Sequence, residues 1–475
     1  MKNYLLYILG SLLLLAACAR DKGNYDYIDI PDPVVTNLDT AYIAIVGDSL
    51  IISPTVELKS GKNDYSCFWE IAVPERAMSL DYEGRELRIV FGLAANRYNV
   101  LLRVQDNNTG QRYFYEFVIK GQTEFTRGTL VLSNDGAHSK LSFVKPDDSV
   151  QPDIYSAINE EALPGGAMQL VPIRHQFYMN QLNFYWLTYS GNGSGAVQLD
   201  ANTLQRSKYL KENFYDPPAT IEVGSMLNML DGVTTGIFNG KLYRGTTETA
   251  PFWPYYGFWG VPIDGNYSLH PRVLYNSFEN PYDTYFLGFE KNRKQFIRFL
   301  GNTYFDTSGY NVPVPDTAFN PKDLKMDLIH MDRFSDDNLY AYCDSMGKKI
   351  ELRFAVRLNA GQRIFRALAK REFAGASLLT PDTKWASSPI QVFFFSSGDK
   401  IYRYNPLSEE IRPLDANFNG KDVTMLKVLN NGDLLMAGTE GSLYYLNIST
   451  GNNGVITKQI DGFPGEVVDI LARDN

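Results

Sequence analysis

Little in this chain invites chemistry. It holds only 3 cysteines and 4 histidines in 475 residues. The cysteines stand at 18, 67 and 343, so there is no Cys-x-x-Cys and no disulfide framework. His138, His175, His270 and His330 are scattered, without the clustered spacing a zinc centre needs. There is no Walker A loop. Gly191-Asn192-Gly193-Ser194-Gly195 has the wrong spacing for a nucleophile elbow. With Ala196 it meets only the loose dinucleotide fingerprint, and no helix pattern follows it. Basic blocks are also missing. Lys and Arg total 45 against 54 Asp and Glu, a net charge of −9. That balance argues against nucleic acid and against adhesion to anionic lipid by charge alone. Beyond residue 18 no apolar run approaches the roughly 20 residues of a membrane helix; Val392 to Phe395 is strand-sized. Long stripes at 3.6 spacing are absent too, and the helical candidate Ile364 to Arg371 is brief. We therefore expect no catalytic centre, no cofactor and no metal.

What is present begins at the N-terminus. Lys2 is followed by an apolar run, Tyr4 to Leu15, and by Leu15-Ala16-Ala17-Cys18. A charged start, a short apolar core and a small-residue site read as an export signal over residues 1–17. The closing cysteine resembles a bacterial lipobox, which makes Cys18 the lipidation candidate and a membrane surface the expected location. Acyl chains would anchor the chain by burying their CH₂ groups. Residues 18–26 read as a polar tether. Removing 1–17 takes away one lysine, so the remaining body is slightly more acidic, which favours solubility.

The rest reads as strands. Tyr (31) and Phe (28) are abundant, and aromatic residues favour sheets. The length exceeds one ordinary core. Over residues 27–120 short strands recur: Ile43 to Val46, Leu50 to Ile52, Tyr65 to Glu70, Leu87 to Val90, Tyr98 to Val104 and Tyr113 to Ile119. The spacing predicts an Ig-like β-sandwich with Trp69 in its core. Asp21-Lys22-Gly23-Asn24-Tyr25-Asp26-Tyr27 after Cys18, with the Tyr98 to Val104 strand and its Asp106 to Gly110 turn, resembles the PKD-like lipoproteins of Bacteroidetes. The resemblance covers about the first quarter of the chain. It implies a surface lipoprotein working beside a SusC/SusD-type outer-membrane importer, with oligopeptide or glycan as cargo.

Residues 121–127 read as a linker, and 128–475 repeat a strand–turn–strand theme. Asn239-Gly240, Gly398-Asp399, Gly432-Asp433 and Glu440-Gly441 mark tight hairpins, because such pairs accept positive φ. The recurrence predicts a β-propeller, seven blades being the preferred count, with cycles near 129–144, 182–206, 233–275, 284–312, 326–356, 390–413 and 424–472. Gly128 to Leu132 and Val467 to Leu471 are expected to pair and close the ring. A pair of large sandwiches is the competing architecture.

Candidate binding residues lie in an aromatic segment: Trp253, Tyr255, Tyr256, Phe258 and Trp259. Pro254 and Gly257 place it in a loop, where rings can stack on sugars or grip peptide side chains. The alternative is that these rings fill space between blades. Asp332 with Asp336-Asp337-Asn338 carries enough oxygen for Ca²⁺, but a solvated turn explains it better. Asp39-Thr40-Ala41, Asp48-Ser49-Leu50, Asp148-Ser149-Val150, Asp316-Thr317-Ala318 and Asp344-Ser345-Met346 resemble O-glycosylation triplets, a pattern that chance also produces. The leading expectation is a non-enzymatic accessory binding or assembly subunit of an importer. A stand-alone glycan-binding lipoprotein and a propeller hydrolase or lyase are the alternatives.

Overall fold

In the strand Arg97–Asp106, Tyr98, Val100, Leu102 and Val104 alternate with more exposed positions. Tyr65–Val73 does the same with Cys67, Trp69, Ile71 and Val73. A period of two gives a sheet one apolar face. In this computed structural model those two strands are central neighbours. The structure describes residues 32–473, except 60, 177–179, 192–194, 248–254, 276–284, 302, 314–316, 360–361 and 430–431.

The chain divides into two units, Met1–Phe91 with Arg97–Lys120, and Gly92–Asn96 with Gly121–Asn475. The first is built on a five-stranded sheet in the order Ala41–Ile45, Arg112–Gln122, Arg97–Asp106, Tyr65–Val73, Met78–Glu83, the last four antiparallel. Two small pairs, Val34–Thr36 with Thr55–Glu57 and Ser49–Ile52 with Leu87–Val90, bury Leu50, Ile52, Val56 and Leu87. Trp69 is 1% exposed, meets Phe117 edge-on, and its indole N–H donates to the Gly84 carbonyl at 2.8 Å. The core expectation for Trp69 holds. The 106–110 turn is set by Asp106, whose Oδ1 accepts the Asn108 N–H at 2.7 Å, and by Gly110 at φ +77°.

In the second unit a different pattern rules. Phe393, Phe394 and Phe395 are all fully buried. A strand apolar on both sides must be covered on both faces. Here Phe393 and Phe395 pack with Tyr340 and Tyr342 of the preceding sheet and with Phe373 just after it, while Phe394 packs with Leu435 and Tyr444 of the following one. Separate antiparallel sheets therefore stack face to face in sequence. Their first strands are Ala167–His175, Val223–Asn228, Leu269–Tyr275, Asp327–Ser335, Trp385–Ser388 and Met425–Leu429. Each of these lies beside the first strand of the next sheet. One α-helix, Ile154–Asn159, occurs among the described residues. Ile364 to Arg371 is not helical: it lies in the strand Gln362–Glu372, where Arg363, Phe365 and Ala367 point inward at period two. The expected cycle 233–275 joins parts of two sheets, one ending at Arg244 and the next starting at Leu269.

The stretch Leu434–Asn447 is a hairpin in its own right. Leu434 to Gly438 pair with Met425–Leu429, Ser442 to Asn447 pair with Val455 to Asp461, and the Ile448 N–H bonds to the Asp433 carbonyl. Gly441 turns it at φ +74°. Beyond Gly462 and Gly465 the last segment, Glu466 to Arg473, pairs with Gly128–Asn134. Leu132 lies opposite Asp469 and Leu130 opposite Leu471, as the ring-closure expectation requires. The final strand also lies beside Ala167–His175, so the series of sheets is a propeller-like ring. Arg473 fastens it: its guanidinium, 2% exposed as a residue, donates to the carbonyls of Phe125 and Ala201.

Candidate functional site in the second unit

The first strands of the sheets bring distant residues together. Their side chains line a cavity of about 500 Å³. Met168, Arg272, His330, Trp385, Met425 and Asp469 come to it from six different strands, and Lys384 stands just before Trp385 on its rim. A space of this size, with a few convergent polar groups, suits a small molecule.

The wall is an aromatic stack. Trp385 lies 4.9 Å from His330 at 15° and 4.5 Å from Tyr342 at 26°. His330 is 5% exposed. Burial, followed by the positive charge of Arg272, pushes its pKa down to about 4, so the ring is neutral near pH 7. Its Nε2 lies 3.8 Å from Asp332 Oδ2, too far for a hydrogen bond. Asp332 is instead taken by Arg272 at 3.1 Å. Burial opposes its charge, but His330 and Arg272 outweigh that and hold the carboxyl at about 2. With Asp332 neutralised by Arg272, little is left to keep a proton on His330. His270 is likewise pushed down to about 4, by burial and by Lys291 and Arg272.

Asp469 is also engaged. Its Oδ2 accepts the Leu170 N–H at 2.8 Å, and its Oδ1 accepts the Ile470 N–H and the Lys427 ammonium, both at 2.8 Å. Asp332 and Asp469 are thus each paired with a cation.

The aromatic segment divides. Trp253 lies outside the described residues. Trp259 is fully buried: it packs on Phe214 and Phe238, its indole donates to the Thr234 carbonyl at 2.8 Å, and its backbone bridges Gly245 at the edge of a sheet. It is core and not a platform, a correction to the sequence expectation. Tyr256 is half-buried, stacks on His175, and donates to the Asp231 carbonyl at 2.6 Å. Tyr255 (56% exposed) and Phe258 do form a surface cluster with Tyr215 (54% exposed), rings 5.4 to 6.0 Å apart. Gly257, at φ +80°, makes the turn that the loop reading required.

The remaining candidates are simpler. Cys18 lies outside the described residues. Cys67 and Cys343 are buried free thiols, pushed up by burial to about 11 and about 12. The acidic run is tied to cations: Asp336 to Arg333 at 3.0 Å, and Asp337 to Arg357. No group of three metal-ligating side chains occurs among the described residues. Sequence reasoning missed the cavity, since its residues are spread from 168 to 469 and share no motif. The available signal was that Met168, Arg272, His330, Trp385 and Met425 each sit in the first strand of a repeat and Asp469 in the strand that closes the ring.

Residues 18–167 match the PKD-like family. The match spans the first unit and the opening strands of the second. No curated protein sequence matches the chain. Among solved structures, the chain is similar to a quinoprotein alcohol dehydrogenase-like protein of Bacteroides thetaiotaomicron, at 12% identity over 93% of this chain and 99% of that one, TM-score 0.43. A protein of unknown function from Bacteroides caccae aligns at 11% identity over 72% and 98%, TM-score 0.34. PorZ, a surface component of the type-IX secretion system of Porphyromonas gingivalis, aligns at 10% over 78% and 51%, TM-score 0.27. Likeness this distant carries no function across.

Proposed function

We propose that this chain is a lipid-anchored surface protein that binds a small ligand without transforming it. In this reading the second unit is a seven-bladed propeller, and the cavity at its inner strands is the ligand site. The observation that carries the reading is the cavity itself, furnished from six strands, with its acids already neutralised. Seven blades are supported by five separate sheets and a seven-stranded one that divides, near Gly462 and Gly465, into a Met425 to Asp461 group and a group of Glu466 to Arg473 with Gly128–Asn134 and His138–Val144. The anchor rests on Leu15-Ala16-Ala17-Cys18, and the family match starts at that cysteine. Service to a SusC/SusD-type importer of oligopeptides or glycans follows from the resemblance alone.

Two experiments test this. Mass spectrometry of the membrane-derived protein should find fatty acid on Cys18, and none on a Cys18→Ser variant. Affinity isolation should recover an importer with the wild-type chain. An unacylated first residue removes the anchor, and an importer-free preparation that binds no oligopeptide or oligosaccharide removes the accessory role.

A second reading, a stand-alone glycan binder, is favoured by the exposed Tyr215, Tyr255 and Phe258 cluster. It predicts oligosaccharide affinity that falls in Tyr255→Ala. Unchanged affinity would rule out that platform.

A further inference from the structure

Charge accounting around the cavity leaves one ion over. Arg272 is matched by Asp332 at 3.1 Å. Lys349 is matched by Asp344. Asp469 is matched by Lys427 at 2.8 Å and by two backbone N–H groups. Lys384, on the cavity rim, has no ion-pair partner among the described residues. Beside it, in the wall, His330 is 5% exposed and its Nε2 has no hydrogen-bond partner.

A ring nitrogen that deep, with Asp332 Oδ2 at 3.8 Å but no hydrogen bond, is uncommon, because buried polar atoms ordinarily find hydrogen-bond partners. The ring is held rigidly by the Trp385 and Tyr342 stack, so it cannot turn away cheaply. With the paired ions counted, four cations (Arg272, Lys349, Lys384 and Lys427) stand against three acids (Asp332, Asp344 and Asp469) around the cavity. The chain as a whole is acidic, at −9, so this positive spot stands against its background. A cavity that concentrates one sign of charge within low-dielectric walls attracts the other sign.

We propose that the cavity receives a small organic anion, whose oxyanion group pairs with Lys384 and lies within reach of His330. The inference rests on the binding reading above and narrows it. The volume of about 500 Å³ limits the occupant to the size of one or two sugar or amino-acid units. Carboxylate, sulfate and phosphate groups share the chemistry required, which is a compact acceptor of charge-assisted hydrogen bonds.

The test is calorimetric titration of the full mature chain at low salt with matched probes. Glucuronate is compared with glucose, and N-acetyl-dialanine with its amide; glucose 6-sulfate and glucose 6-phosphate identify which oxyanion fits. At least one anion is expected to bind at a single site, roughly 10-fold or more tighter than its neutral partner. Lys384→Met should lose a similar factor and Lys384→Arg should restore most of it, with the melting temperature unchanged in both. Equal binding of charged and neutral partners, or wild-type affinity in Lys384→Met, overturns the inference and leaves the binding reading standing. If no anion binds but a neutral sugar or amide does, the outcome is the same. If no probe binds at all, the inference falls, and the wider ligand panel decides the binding reading.

Discussion

His330 should make this protein acid-sensitive well above the carboxylate range, and His330→Phe should remove part of that sensitivity. Its folded pKa is about 4, while the unfolded chain's is about 6.5. The folded value is the lower one. As pH falls below 6.5 the unfolded state therefore takes up the proton first, and stability drops. The contribution is complete above about pH 6.5 and lost by about pH 4. The full gap is worth about 3 kcal/mol, of which about 2 kcal/mol is lost between pH 7.5 and 5. Phenylalanine preserves the ring against Trp385 and sacrifices no bond at Nε2, which has none. His270, also near 4, contributes in the same direction and stays in the variant. Urea midpoints at pH 7.5 and 5 give the comparison. The wild type should lose about 2 kcal/mol more than His330→Phe over that interval. An equal loss in both would show that His330 is not held neutral by its surroundings, and the account of the Arg272–Asp332 pair would fail with it.

Trp259→Ala should cost about 3–5 kcal/mol, since a fully buried indole among Phe214, Phe238 and Trp186 leaves a large cavity, whereas Tyr255→Ala should stay within about 0.5 kcal/mol; denaturant midpoints read both. Arg371→Met should cost about 3–5 kcal/mol, because Glu351, 1% exposed, would keep only Tyr404. Burial already pushes the Glu351 carboxyl upward, so that loss should shrink as pH falls and the acid is protonated. Ile470→Ala, in the strand that closes the ring, should cost about 2–5 kcal/mol and make the chain more sensitive to limited proteolysis.

Much of the architecture was legible because hairpin chemistry is local. Asn239 and Gly240 adopt φ of +52° and +70°, as an Asn-Gly hairpin predicts. Gly398 and Gly441 fill the same role elsewhere. Trp69 could be placed in a core because its strand alternates, and the pairing of the first and last propeller-like strands could be anticipated from two apolar segments at opposite ends of the repeat region. Boundaries were harder. Among the described residues no strand lies between Arg244 and Leu269, so the cycle drawn over 233–275 ran two sheets together. Trp259 was misplaced for the same reason: Pro254 and Gly257 do mark a loop, but the chain returns to the sheet edge at Gly245 just after it. The cavity was not legible. His330, Trp385 and Asp469 meet only because the first strands and the closing strand neighbour one another around a ring, a relation that carries no local pattern.

The account stands or falls on holding a ligand unchanged. Equilibrium dialysis of the mature chain against oligosaccharides and oligopeptides, with mass spectrometry of both chambers, addresses this directly. The prediction is one-to-one retention of a compound whose mass is the same before and after. New product masses, or no compound retained, would contradict it.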